Sequence, residues 1–231
     1  MNFVLIPGFM TDERLWQDVV QDLSSLGEVF YAKITDSSDL KQLALNIIEQ
    51  SPSNFVLIGF SLGGYVARWI ASLVPNKVEA MILIATSNLP DAPAQLKQKR
   101  SNARMANPHT YGGLSTTAIR SSLHSLNQDN HELITMIREM SIRLGGKVFI
   151  QQSLIVRNNP ILLKAENNFP VLIIASASDK LRSIAESEAL LSDYSNSELC
   201  IIDNTGHMLP LEQPEKLMFS IRRWFKKISL T

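Results

Sequence analysis

Ten consecutive residues constrain this chain more than any others. Phe55-Val56-Leu57-Ile58-Gly59-Phe60-Ser61-Leu62-Gly63-Gly64 carries an apolar run, suited to a buried strand, straight into Gly-x-Ser-x-Gly, and residues 65–74 then read as a helix. A serine on so tight a strand-to-helix turn is pushed out of the sheet with its hydroxyl exposed, the posture a nucleophile needs. Gly59 and Gly63, two residues either side, lack the Cβ atoms that would clash where helix and strand approach. The bare pattern arises by chance now and then; the strand before it and the helix after it give it meaning.

Around this turn, short apolar strands alternate with helical patterns. Residues 3–7, 29–34, 55–60 and 78–85 read as strands. Residues 12–25 read as a helix with Leu15, Trp16, Val19, Val20 and Leu23 on one face, and residues 39–50 as another with Leu40, Leu43, Ala44, Ile47 and Ile48 on one side. Such alternation predicts a mostly parallel, doubly wound sheet, and the nearly unbroken apolar strands fit burial on both faces. The rhythm stops at about residue 88. Helical patterns at 92–105, 114–126, 131–144 and 147–156 follow, punctuated by prolines and glycine pairs, with no convincing strand before residue 168. Strands at 171–175 and 199–202 and helices at 184–191 and 214–227 then resume the alternation. The chain thus divides into a first core part (1–87), a helical insertion that reads as a lid (88–168) and a second core part (169–231), in a sheet of about six strands.

At 231 residues the chain is long enough for a full core. Lys+Arg and Asp+Glu each number 22, so no net field favours nucleic acid or an acidic membrane surface. The N-terminal residues lack the basic start and longer apolar core of a signal peptide, and no apolar run approaches the roughly 20 residues that span a bilayer. A soluble, cytoplasmic protein without a membrane span is expected. A single cysteine excludes an internal disulfide; Cys200, in an apolar run, reads as a buried small hydrophobe rather than a reactive thiol. No cofactor or metal site is read from the residues.

A serine hydroxyl is a poor nucleophile at neutral pH and needs a base beside it and a third group to orient that base. Of the four histidines, His109, His124 and His131 lie in the helical insertion. His207 follows the strand at 199–202, in the loop Asp203-Asn204-Thr205-Gly206-His207-Met208. Loops at the carboxyl ends of parallel strands open on one edge of the sheet, where Ser61 also sits, which selects His207. The same reasoning selects Asp179, in the loop leaving the strand at 171–175, to accept the His207 Nδ1–H. Asp203 competes, but four residues from His207 in one loop it reads as a turn aspartate. An oxyanion would be met by the backbone N–H of Leu62 and by one from the loop Pro7-Gly8-Phe9-Met10-Thr11, with Phe9 the first choice and Met10 the reserve.

The order Ser61…Asp179…His207, with a helical insertion after the strand at 78–85, resembles the α/β-hydrolase family across nearly the whole chain. The residues that carry the likeness are Pro7-Gly8-Phe9, Gly59-Phe60-Ser61-Leu62-Gly63-Gly64, Ala177-Ser178-Asp179 and Gly206-His207-Met208, followed by Glu212-Gln213-Pro214-Glu215. The chain is most similar to small lid-bearing serine esterases, a group that includes carrier-protein methyl-ester esterases and enol-lactonases. The resemblance implies Ser61 as nucleophile, His207 as general base and acid, Asp179 as orienting acid, and Phe9 and Leu62 as oxyanion donors. Serine rather than aspartate or cysteine at the nucleophile position implies acyl chemistry on a carboxylic ester, thioester or lactone.

Three departures stand out. The family's common His-Gly pair is Pro7-Gly8 here, the usual proline after the acid is missing from Lys180-Leu181-Arg182-Ser183, and the chain starts on the strand that is usually third, so an antiparallel edge hairpin is expected to be absent. An acyltransferase, a lyase or a non-catalytic ligand receptor would share the same residues. The substrate is expected to be a small acyl ester, with an acyl carrier as a possible donor. Met105, Leu114, Ile119, Leu123, Met136, Ile137 and Met140 offer apolar surface for a pocket. Lys97, Lys99, Arg100 and Arg104 cluster on one predicted lid helix, suited to a solvated face or to an acidic carrier or carboxylate.

Overall fold

The computed structural model describes residues 1–160 and 168–228; residues 161–167 of the expected insertion lie outside the described residues. Strands β1 (Asn2–Ile6), β2 (Glu28–Tyr31), β3 (Phe55–Phe60), β4 (Val78–Ile84), β5 (Val171–Ser176) and β6 (Ser197–Ile202) form one sheet in the order β2-β1-β3-β4-β5-β6, every neighbouring pair parallel. Side chains alternate across a strand, so each apolar strand feeds two cores. Phe3, Leu5, Val56, Ile58, Ile82 and Ile84 enter one; Val4, Ile6, Phe55, Leu57, Met81 and Leu83 enter the other. Helices α1 (Val20–Ser24), α8 (Leu209–Glu212) and α9 (Pro214–Lys227) cover the first face, and α2 (Leu40–Gln50), α3 (Leu62–Leu73) and α7 (Ile184–Leu191) the second. This is the doubly wound sheet that the alternation predicts.

From β1 the chain passes outward to β2, then crosses back over β1 to begin β3. The strand order therefore reverses between β1 and β3, and the loops leaving their carboxyl ends flank the crevice where ligands bind in such sheets. Between β4 and β5 the described residues form helices α4 (Pro93–Met105), α5 (Thr116–Ser122) and α6 (His131–Leu154), and no strand. Ile119, Leu123, Leu133, Ile134, Ile137 and Met140 from these helices extend the first core. No described helix is long and apolar enough to cross a membrane.

Several elements differ from the periodicity. Residues 12–25 form not one helix but a 3-10 turn, Glu13–Trp16, and the short α1. Asp12 sets that turn: one carboxylate oxygen caps it through the Arg14 N–H at 3.0 Å, while the other accepts from Arg143 Nε of α6, also at 3.0 Å. The expected helix at 114–126 shortens to α5 and a 3-10 turn, Ser125–Asn127. There side chains take the backbone donors instead: His124 Nδ1 accepts from the Leu126 N–H at 3.2 Å, and Glu212 takes the His124 N–H at 2.7 Å. The expected helices at 131–144 and 147–156 join into α6, interrupted only at Gly145, whose φ of 80° breaks the helical backbone. Cys200 is half-buried, because β6 is an edge strand, and its thiol meets the Ser220 hydroxyl at 3.4 Å.

Candidate active site

Ser61 sits between β3 and α3 with φ 51° and ψ −112°, a strained backbone held from both sides. Its N–H donates to the Ile84 carbonyl at 2.9 Å, and its carbonyl accepts from Thr86 Oγ1 at 2.7 Å. The two glycines are required by close approach. A Cβ on Gly59 would stand 2.6 Å from the Gly63 carbonyl oxygen, and one on Gly63 would collide with the carbonyl oxygens of Ile6 and Pro7. Gly63→Ala is therefore expected to destabilise the fold by about 3 kcal/mol, the upper range for a forced overlap against backbone. Thermal unfolding of that variant, compared with Ala substitution at the open position Gly112, checks it.

Loops after β3, β5 and β6 bring three side chains together that are separated by up to 146 positions. His207 Nε2 lies 2.8 Å from Ser61 Oγ, and His207 Nδ1 lies 2.7 Å from Asp179 Oδ2. All three are nearly closed to water: Ser61 is 8% and His207 6% exposed, and the Asp179 side chain 1%. The second carboxylate oxygen of Asp179 accepts the N–H groups of Leu181 and Arg182 at 2.7 and 3.0 Å. The loop that lacks the usual proline thus closes onto the carboxylate itself. Asp203 is exposed, and its carbonyl accepts from Lys216 Nζ. His109 and His131 are also exposed, and His124 is occupied by its own 3-10 turn.

His207 rests on more than its ring partners. Its N–H donates to the Ser122 carbonyl at 2.7 Å, and its ring is stacked at a tilt on Phe60, centroids 5.2 Å apart. Glu212 accepts from the Gly206 N–H at 2.9 Å with one oxygen, and from the His124 N–H and Asn127 Nδ2 with the other. The histidine loop is therefore tied directly to the helical insertion. Glu212 stood in the sequence beside His207, but only the fold reveals what it holds.

The loop after β1 is tied to the insertion as well. Gln152 of α6, 2% exposed, accepts the Met10 N–H at 2.8 Å and donates to the Ile34 carbonyl at 3.0 Å. Met10 has a positive φ of 54°, and Gly8 donates to Thr11 Oγ1 at 2.8 Å. Met10, the reserve oxyanion donor, is thereby occupied, whereas no acceptor among the described residues meets the Phe9 N–H. Gln152 lies on the far side of the chain from its partners, and no local pattern marks it.

Ser61, His207, Phe9 and Leu62 all face a cavity of about 450 Å³. Of the insertion side chains expected over the nucleophile, Leu114, Ile119 and Ile137 line it. Leu123 and Met140 instead fill the core, Met136 packs at its edge, and Met105 is 82% exposed. A buried hydroxyl hydrogen-bonded to an imidazole that is itself oriented by a carboxylate, beside an open backbone donor and a cavity, is equipped for nucleophilic attack on a carbonyl.

Residues 31–214 match the family described as alpha/beta hydrolase fold. The pimeloyl-[acyl-carrier protein] methyl ester esterase of Pseudoalteromonas atlantica is 38% identical over 96 residues, 37% of each chain. The biotin biosynthesis bifunctional protein BioHC of Cellvibrio japonicus is 22% identical over 98% of this chain and 48% of its own length. The matches thus take in about half, or less, of these relatives. Among solved structures, a thermophilic esterase from Thermogutta terrifontis superposes with a TM-score of 0.84 at 24% identity, covering 99% of this chain and 90% of that one. The enol-lactonase of Burkholderia xenovorans superposes with a TM-score of 0.83 at 15% identity, covering 97% and 91%.

Proposed function

Because the chain belongs to the α/β-hydrolase family, we propose that it cleaves carboxylic esters, thioesters or lactones through an acyl-enzyme on Ser61. The observation that carries this reading is the continuous relay Ser61–His207–Asp179, at 2.8 and 2.7 Å, opening on the cavity. His207 Nε2 takes the hydroxyl proton as Ser61 Oγ attacks the carbonyl, and Asp179 stabilises the imidazolium. The N–H groups of Phe9 and Leu62 receive the oxyanion. Collapse of the tetrahedral species passes the proton from His207 to the leaving alcohol, thiol or lactone oxygen. Water then repeats the sequence on the acyl-enzyme and releases the acid. The helical insertion acts as the lid over this site, and the substrate is a small acyl ester, free or delivered on an acyl carrier.

A fluorophosphonate probe followed by peptide mass spectrometry tests the reading: one adduct, on Ser61, is expected. Incubation of the protein with esters, thioesters and lactones of graded acyl length then reads out which bond is cut. An unlabelled Ser61 in folded protein, with no acid released from any class, would overturn it.

Gln152 makes a second test, because it holds the loop that bears Phe9. Gln152→Leu leaves the Met10 N–H and Ile34 carbonyl unpartnered and frees the loop, so kcat is expected to fall about 10- to 100-fold, up to the loss of one oxyanion donor. KM is expected to stay within about twofold, since the lost interaction forms in the transition state. Gln152→Glu keeps an acceptor for Met10 and is expected to restore most of kcat. A change in thermal stability alone, with kcat intact, would assign Gln152 to packing.

A further inference from the structure

Charge in the cavity is one-sided. The described residues lining it include Lys99, Arg157 and Arg182, and no aspartate or glutamate. Two of these cations share one buried carboxylate. Asp91, its side chain fully buried, accepts from Lys99 Nζ at 2.8 Å, from Arg157 Nε at 2.6 Å and from the Arg157 N–H at 2.7 Å, and Arg157 Nη2 also pairs with it. Burial raises the Asp91 pKa, but the hydrogen bonds from Arg157 and Lys99 outweigh it and leave the group below its ordinary value. One negative charge therefore faces two positive ones.

A clamp joining α4 to the end of α6 would be neutral with a single cation. Here a second cation is kept out of bulk water at a cost that an ionic partner would offset. Lys99 Nζ gives a further hydrogen bond to the Ile155 carbonyl, which leaves one of its three N–H donors. Arg157 Nη1 has no acceptor among the described residues. Burial holds the Lys99 ammonium below its ordinary pKa, Asp91 works against that, and Arg157 adds to it. The neighbouring α4 cations Lys97, Arg100 and Arg104 are exposed and do not line the cavity.

Tyr65 ties Arg157 to the helix that begins after Ser61. The Arg157 guanidinium carbon stands 5.8 Å from the Tyr65 ring centroid. Tyr65 lies in the first turn of α3, four residues after Ser61, or about 6 Å along the helix axis. Lys99, Arg157 and Ser61 line the same cavity, together with the apolar side chains of Leu62, Leu114 and Ile119.

We propose that the cavity accepts esters whose acyl chain ends in a carboxylate, with Lys99 and Arg157 forming the carboxylate subsite; this deepens, and rests on, the esterase reading above. The free donors of both cations meet the carboxylate oxygens, while the ester carbonyl lies at Ser61. An uncharged acyl chain of equal length leaves those donors without an acceptor.

The test compares matched pairs: monoethyl succinate, glutarate and adipate against ethyl butyrate, pentanoate and hexanoate, by acid release at low salt. The carboxylated ester of the best length is expected to exceed its neutral partner in kcat/KM by about tenfold or more, the worth of one charge-assisted hydrogen bond. Lys99→Gln, which leaves Arg157 to pair with Asp91, is expected to lower that ratio about fivefold or more; Lys97→Gln on the exposed face of α4 leaves it unchanged. A second arm needs no turnover. Glutarate titrated calorimetrically into Ser61→Ala protein is expected to bind, and adding Lys99→Gln is expected to abolish that binding. Neutral esters cleaved with a ratio at or below one, and no glutarate binding, would overturn the subsite while leaving the esterase intact. Glutarate bound through Lys99 without any ester cleavage would support the subsite and count against the esterase.

Discussion

Ser61→Ala is expected to lose three or more orders of magnitude in kcat on a short-chain aryl ester, with KM nearly unchanged. The size follows from the geometry. Ser61 Oγ is the hydroxyl that meets His207 Nε2, at 2.8 Å, and alanine leaves the imidazole with no proton to take from a nucleophile. What remains is the contribution of binding and of the proposed Phe9 and Leu62 donors, which in serine hydrolases accounts for roughly 10³-fold over water. The fold is expected to persist, because alanine removes one oxygen and leaves the Gly59 and Gly63 contacts untouched. Steady-state kinetics beside a thermal melt of the same preparation measure both. Full activity in the variant would remove Ser61 from the mechanism.

Asp179→Asn is expected to cost on the order of 10³- to 10⁴-fold in kcat, whereas Asp203→Asn changes it less than about twofold. An asparagine at 179 keeps the volume but can present an N–H toward His207 Nδ1, favouring the tautomer that cannot accept the serine proton. The carboxylate is built in to do the opposite: Oδ2 faces His207 at 2.7 Å while Oδ1 is held by two backbone N–H groups. Asp203 has no such setting; its side chain is exposed to water. Comparing kcat for the two asparagine variants, each shown to be folded, separates the acids. The reverse ranking would reassign the orienting role.

The legible part of this molecule was local. Phe55 to Gly64 declared a strand, a strained serine and a helix because their requirements fall within ten residues: apolar side chains on both faces, then glycines where backbones touch. The alternation around them implied parallel strands, and parallel strands put the loops of Ser61, Asp179 and His207 on one edge. Asp203 lies on that edge too, and its place four residues from His207 in one loop reads as a turn aspartate. Where elements depart from the periodicity, long-range hydrogen bonds compete with it. The stretch at 12–25 opens on a 3-10 turn capped by Asp12, whose other carboxylate oxygen is held by Arg143, 131 residues away. The stretch at 114–126 stopped short because Glu212, 88 residues from His124, takes a backbone donor. Apolar spacing sees neither partner.

The choice between Phe9 and Met10 shows the same division. Sequence narrowed the expected oxyanion donor to two adjacent residues in a glycine-bearing loop. Gln152, more than a hundred residues on, occupies the Met10 N–H and leaves that of Phe9 open. Likewise, four cations on one helix were visible as a cluster, but which of them turns inward depended on the buried Asp91. Order along the chain determined the sheet and the edge where Ser61, Asp179 and His207 gather, because those follow from periodicity and chain direction. The tertiary structure alone decided which donors stay free and which charges face the cavity, because a hydrogen bond or ion pair depends on angstrom distances between residues that the sequence holds far apart.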